Sequence, residues 1–488
     1  MLWILPLFLI PVLAGLACLL LRGSPWQPRV ALTGATLTTA AAIAYVTRVV
    51  QGGVFLTARG WLHGDGLAAL AVLVAGVALP AVIAYGDTYM RVVRELEPGD
   101  AGWQPGRWEA LIFGLMACIM VSAVANNLGL LWVALEGATL ASAVLVGYYR
   151  RNDALEAAWK YLVLCSVGVA LALLATVLLY YSAVPLFGMG GAGMQWAALR
   201  PVAGQLDPRF VKLAFLFALV GYGTKVGLAP MHSWVPDAYS RSPAPATALL
   251  ATALSAVSMA ALLRFFAIAR AALGAPWPEH LLALFGAISM VIAVPFLLVQ
   301  GEYKRLLAWS SVKHTGFVLL AVGLGTPLAL FGGLLHLLVQ SFAKSLAFML
   351  GGTLLRASGS RRLDHCTGVL SADRGLGTLL IVAGAGVAGL PPAGTFVSEW
   401  LALAGGFAGP RPVFAMIALA ALAAGFVGIV FHWTRMVMGK PRDTFKDPMP
   451  RHARAPLWAL AVLLVTLGVW LPAPLRALVE SAMASVRP

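Results

Sequence analysis

In LLHLLVQSFAKSLAFMLGG, residues 334–352, His336, Gln340 and Lys344 stand at i, i+4 and i+8. That spacing lays one polar stripe along an otherwise apolar helix. Histidine exchanges a proton near neutral pH, lysine carries a full charge, and an amide between them can hold water. A lone histidine on such a face is usually packed core; three polar groups in register point to conduction. A second set lies in GYGTKVGLAPMHSWVPDAY, residues 221–239, where Lys225 is centred in an apolar run, Pro230 follows and His232 stands just beyond. Proline has no N–H, so the Val226 carbonyl loses its helical partner and the backbone opens beside the lysine.

Glu136, in the middle of NLGLLWVALEGATLASAVLVG, is the natural partner for Lys225. Desolvation favours the neutral amine and a neighbouring carboxylate favours the ammonium, so moving that partner would toggle the proton. LLAWSSVKHTGFVLL adds His314, with Lys313 beside it. Adjacent helical residues point about 100° apart, so His314 is the one expected on the path, while Lys313 snorkels or marks a local water pocket. Glu399 closes the series in GLPPAGTFVSEWLAL, beyond the break at Pro391 and Pro392. A charge at mid-bilayer costs roughly 2.5–3.5 kcal/mol, so each of these groups needs a partner or water. The bland alternatives are a packing anchor for Glu136, a structural ion pair for Lys225 and an interfacial position for Glu399. Laid end to end, Glu136, Lys225, Lys344 or His336, and Glu399 give an acid, central bases and a terminal acid, which is how a proton relay is built.

The elements that must position them are membrane helices. Of the 488 residues, 60% are hydrophobic and 11% charged, and mean hydropathy is +0.87; soluble domains carry about 25% charged residues. Apolar runs of bilayer-spanning length recur throughout, about fourteen in all. The fold class is an all-α polytopic membrane protein. The net charge of +15 is scattered in small groups between apolar runs, which excludes a nucleic-acid groove. Odd-numbered loops carry roughly twice the Lys and Arg of the even ones, led by 356–365 and 440–454, so they are expected in the cytoplasm with both termini outside. The N-terminal run lacks a basic leader and reads as a retained first span. Cys18, Cys118, Cys165 and Cys366 have no metal spacing and imply neither disulfide nor cluster.

GLAP at 227–230 and GLPP at 389–392 each interrupt a long apolar run and each precede Ser-Trp or Glu-Trp. Five spans separate them, and an odd number inverts the second copy. This predicts two inverted five-helix repeats, 109–270 and 279–436, flanked by N-terminal spans in 1–108 and a loop and final helix in 437–488.

LAPMHSWVPDAYSRSPAPATALL, EYKRLLAWSSVKHTGFVLL, LHLLVQSFAKSLAFMLGG and GLPPAGTFVSEW resemble the antiporter-like proton-translocating subunits of respiratory complex I, Mrp cation/proton antiporters and group 4 membrane-bound NiFe hydrogenases. EAAWKYLVLCSVGVALALLATVLLYYSA, 156–183, is most similar to component F of hydrogenase-4 and formate hydrogenlyase-like complexes. The likeness covers roughly residues 110–435. It implies a fourteen-helix fold with two broken helices, Glu136 and Lys225 as the pair of the first half-channel, His336 and Lys344 as central relay, and Glu399 as terminal acid. It also implies a chain without redox cofactor, whose cofactors sit on partner subunits. Those partners are other membrane subunits and a peripheral electron-transfer arm, the setting the bacterial cytoplasmic (inner) membrane, and the cargo protons or sodium. Three positions depart from the family pattern. Ala256 stands where many relatives have lysine, leaving the link between halves to water, Ser255 or Ser258; Gln340 replaces a frequent histidine; Lys313 replaces Ser or Glu. The alternatives are a gradient-driven member of an Mrp-type antiporter and a relay module of an inorganic-carbon uptake complex with a zinc partner.

Overall fold

A chain in lipid must close its backbone hydrogen bonds within each segment, so the apolar runs fold as helices. The computed structural model describes residues 3–96, 106–440 and 449–487; much of the basic stretch 440–454 used for orientation lies outside them. Ten helices of 18 residues or more are apolar enough to cross a membrane, and the pair Ala455–Val469 and Ala473–Val486, bent by 77°, makes up to eleven among the described residues. The remaining stretches read as spans are short or divided. Leu5–Leu20 and Arg374–Ala388 are apolar but under 18 residues, and Pro208–Val226 ends at a break.

The two breaks share one local geometry. Pro208–Val226 stops at Gly227 and Arg374–Ala388 at Gly389, both in the left-handed conformation, φ 78° and 75°, which glycine adopts without a Cβ clash. The next amide bonds back in both cases, Leu228 N–H to the Gly223 carbonyl and Leu390 N–H to the Ala385 carbonyl, each 2.8 Å. Pro230 and Pro391 then stand where the partners of the Val226 and Val387 carbonyls would be. The chain resumes as Trp234–Arg241 and as Gly394–Phe407.

The first break is held by other helices. Ser289 Oγ accepts the Ala229 N–H at 2.9 Å, and Trp234 Nε1 donates to the Thr224 carbonyl at 2.8 Å.

Tyr303–Gly323 and Pro327–Ser358 form the middle of the bundle, together with the span 244–273, and the apolar windows of all three are entirely buried. The third contains a π-helical turn, Leu250–Leu254, just ahead of Ser255 and Ala256. Small residues draw Pro327–Ser358 against Gly394–Phe407: a side chain at Gly332 would meet the Ala402 nitrogen at 2.5 Å, and one at Gly405 the Ala329 nitrogen at 2.5 Å. Such close backbone approach replaces the hydrophobic driving force that lipid cannot supply.

At one end a hairpin of Phe55–Thr57 and Leu62–Gly64 covers the bundle. Asp65 caps the following helix through the Ala68 N–H at 2.8 Å and lies 3.5 Å from Arg264. Burial holds the His63 imidazole neutral, with its pKa lowered to about 4 although Asp65 pulls the other way.

Candidate functional site

Lys225 reaches the end of its helix just before the break and is 2% exposed. Its Nζ donates to Thr139 Oγ1 at 2.7 Å and to the Tyr161 hydroxyl at 2.8 Å. Thr139 in turn donates to the Leu135 carbonyl at 2.9 Å, and Ser142 Oγ lies 2.6 Å from both the Tyr161 hydroxyl and the Ala138 carbonyl. The carbonyl can only accept, so the order runs Lys225 N–H, Tyr161 O–H, Ser142 O–H, Ala138 carbonyl. Two N–H donors exist on both the amine and the ammonium; the third valence of Nζ is the one that changes when a proton is gained or lost.

Glu136 does not fill that third position. Among the described residues no direct ion pair within 4.0 Å joins Glu136 and Lys225, so the carboxylate acts on the amine as a neighbour and not through a shared hydrogen bond. Glu136 sits one turn before Thr139 on Leu128–Val146, which hands the contact to the hydroxyl. Its Oε1 accepts from Ser166 Oγ at 3.3 Å, while Oε2 is buried with no partner. Replacing Tyr161 by phenylalanine removes one of the two acceptors on Lys225. A hydrogen bond to a charged group contributes about 1.5–3 kcal/mol, so Tyr161→Phe is expected to slow proton movement roughly tenfold or more in a vesicle acidification assay, with assembly unchanged. A wild-type rate would show that Thr139 alone holds the amine.

The second site joins three helices. His314 on Tyr303–Gly323, His336 on Pro327–Ser358 and Ser398 on Gly394–Phe407 form one hydrogen-bonded row: His314 Nδ1 to His336 Nε2, 2.9 Å, and His336 Nδ1 to Ser398 Oγ, 2.9 Å. At the other end His314 Nε2 lies 3.0 Å from the Val387 carbonyl, the one that Pro391 leaves without an N–H partner. A carbonyl fixes the tautomer: His314 must carry its proton on Nε2, so neutral His314 accepts on Nδ1 from His336. Glu399 Oε1 is 3.9 Å from the same His314 nitrogen and makes no hydrogen bond. His314, His336 and Glu399 offer three donor atoms within 4.8 Å of one another, enough to hold a metal ion only if the bond between the two rings were given up.

Gln340 and Lys344 are buried on the same helix as His336, at 2% and 4% exposure. Gln340 Oε1 has no protein partner, which leaves it to solvent if the stripe is to be satisfied. His232 rests against Trp309, ring centroids 5.2 Å apart, with Nδ1 unpartnered, and is not brought to another candidate. Lys313 does not snorkel. It is fully buried, with Nζ unpartnered, beside Gly425 of Pro412–Val437. His314 faces the opposite helix, as their angular separation requires.

Residues 125–424 match the NADH:quinone oxidoreductase/Mrp antiporter transmembrane family. The chain belongs to this family. Among its similar members, the hydrogenase-4 component F homolog of Methylacidiphilum infernorum is 36% identical over 381 residues, 78% of each chain. NADH-quinone oxidoreductase subunit 14 of Thermus thermophilus is 34% identical over 75% of this chain and 78% of its own. The fold is also that of a chain in the membrane-bound sulfane sulfur reductase, an archaeal respiratory membrane complex, with TM-score 0.86 and 22% identity over 98% of this chain and 96% of that one. As an antiporter-family subunit, the protein is a multi-pass membrane protein.

Within this antiporter-family chain, Thr139, Tyr161, Ser142, Ser398 and the Val387 carbonyl complete both sites, and none stands out in the sequence. Their only signal is a hydroxyl or a proline-freed carbonyl at the right helical turn, which many unrelated positions share.

Proposed function

We propose that the chain moves protons across a bacterial cytoplasmic membrane as the non-redox subunit of a redox-driven complex of the hydrogenase-4 or complex I kind. The observation that carries this reading is the row Ser398, His336, His314 with Glu399 at its end, buried between three central helices. Ser398 Oγ, which also donates to the Thr395 carbonyl at 2.8 Å, must turn its one proton to His336 Nδ1 and take a replacement from solvent; a proton delivered to Nδ1 in this way releases a different one from Nε2 to His314 Nδ1, 2.9 Å away. His314 then holds it beside the free carboxylate oxygen of Glu399. Val387 keeps the other His314 nitrogen protonated throughout, which gives the row a direction.

Lys225 serves the first half in the same manner, exchanging its third proton while Thr139 and Tyr161 hold the other two. Lys344 and Gln340 connect the halves through water, with Ser255 next to the π-helical turn in place of a lysine at Ala256. Glu399 borders an apolar crevice of about 480 Å³ with Phe396, Trp400 and Phe426, so its exchange with solvent must run on the side of the carboxylate that faces His314. Redox cofactors sit on partner subunits, in a peripheral arm, and both termini face outward.

The test is the complex purified through this chain, its subunits identified by mass spectrometry, and reconstituted in vesicles. Acidification that starts with electron transfer and collapses with a protonophore supports the reading. Copurification with small antiporter subunits alone, and proton movement driven only by a sodium gradient, would replace it with an Mrp-type role.

A further inference from the structure

The end of the bundle opposite the hairpin gathers five cations that the proton path does not use. Arg151, Arg241, Lys304, Arg356 and Arg361 line one polar cavity of about 400 Å³. They come from the loop after Leu128–Val146, the end of Trp234–Arg241, the start of Tyr303–Gly323 and the end and following loop of Pro327–Ser358. Among the described residues, Glu302 and Asp153 face them. Glu302 lines the cavity, and Asp153 pairs with Arg361 at 2.8 Å and lies 3.7 Å from both Arg151 and Arg241.

Two of the cations have donors to spare. Arg241 approaches Asp153 at 3.7 Å and Glu302 at 3.6 Å, both beyond hydrogen-bond reach. Lys304 is 5% exposed and its Nζ donates once, to the Ser242 carbonyl at 2.6 Å. Among the described residues no carboxylate pairs with Lys304 Nζ, and an ammonium buried beside guanidinium groups is costly without an anion. Planar N–H forks around a lysine point charge match the oxygens of a phosphate group.

We infer that this cavity binds a phosphate-type oxyanion through Arg241 and Lys304, supplied by the headgroup of an acidic phospholipid or by free phosphate. Basic pockets between membrane helices are suited to acidic headgroups, each Lys or Arg near such a surface contributing about 1 kcal/mol, or roughly fivefold in affinity. The cavity lies where the helices emerge, and Arg241 and Arg361 remain 20% and 25% exposed at their side chains, so a headgroup can reach it from the membrane surface.

The test uses the complete complex in lipid nanodiscs and does not read proton movement, so its failure would leave the conduction reading untouched. Wild-type protein in zwitterionic discs is expected to melt several degrees lower than in discs containing phosphatidylglycerol, and to retain that lipid through detergent washing when measured by native mass spectrometry. The double variant Arg241→Gln, Lys304→Gln should bind it roughly twenty-five-fold more weakly, the product of two fivefold losses; Arg241→Lys should retain part of the binding. If inorganic phosphate alone stabilises the protein in zwitterionic discs and displaces the lipid, the oxyanion is soluble phosphate and the site stands. Equal melting in both discs with no response to phosphate, or equal retention by wild type and double variant, overturns it. Should the variant fail to assemble, the wild-type comparison decides alone.

Discussion

Replacing Lys225 by methionine is expected to stop proton translocation while leaving the complex assembled. Methionine keeps the length of the side chain without a titratable group. Thr139 and Tyr161 lose an incoming N–H but keep their own outlets, the Leu135 carbonyl and Ser142, so neither hydroxyl is stranded. Removing a cation from the bilayer interior also relieves roughly 2.5–3.5 kcal/mol of insertion cost, which offsets the lost hydrogen bonds. A positioned proton-transfer group contributes roughly 10²–10⁴-fold to rate, and redox-coupled acidification should fall by that order. Lys225→Arg sharpens the test, because a guanidinium keeps the charge and the donors but cannot release its proton; it should fail as well. An assembled Lys225→Met complex that acidifies vesicles at the wild-type rate would exclude Lys225 from the path.

Glu399→Gln should slow transfer about a hundredfold, within the range for loss of a proton-transfer group, and Glu399→Asp much less. The glutamine amide fills the same space but cannot take a proton from His314. The aspartate keeps a carboxyl and shortens its arm by one methylene, so a gap that is already 3.9 Å widens and transfer weakens without ending. Single-turnover acidification of reconstituted vesicles separates the three proteins. Equal rates for Gln and Asp would mean that geometry at this position matters and proton exchange does not.

Most members of the proposed path are conspicuous in the sequence, because buried charge is expensive in lipid. Lys225, Glu399 and the stripe His336, Gln340, Lys344 announce themselves by chemistry against an apolar background, and the two proline breaks mark where backbone carbonyls come free. The number of spans was less legible. Hydropathy alone does not show that Arg374–Ala388 stops short at Gly389 or that the last stretch bends by 77°.

Partners were decided only in three dimensions. Glu136 and Lys225 invite pairing by charge, yet a single helical turn on Leu128–Val146 places Thr139, not Glu136, against the amine. His314 and His336 lie 22 positions apart on separate helices that pack closely, a side chain at Gly333 meeting Ala321 Cβ at 2.9 Å. Lys313 is buried because Pro412–Val437 covers it, which no local pattern around it encodes. The sequence by itself determined which ionisable residues lie within apolar runs, since that depends on side-chain chemistry and on the local run. Tertiary structure alone decided which of them hydrogen-bond to which, since direction and distance between helices arise from contacts far apart in the chain.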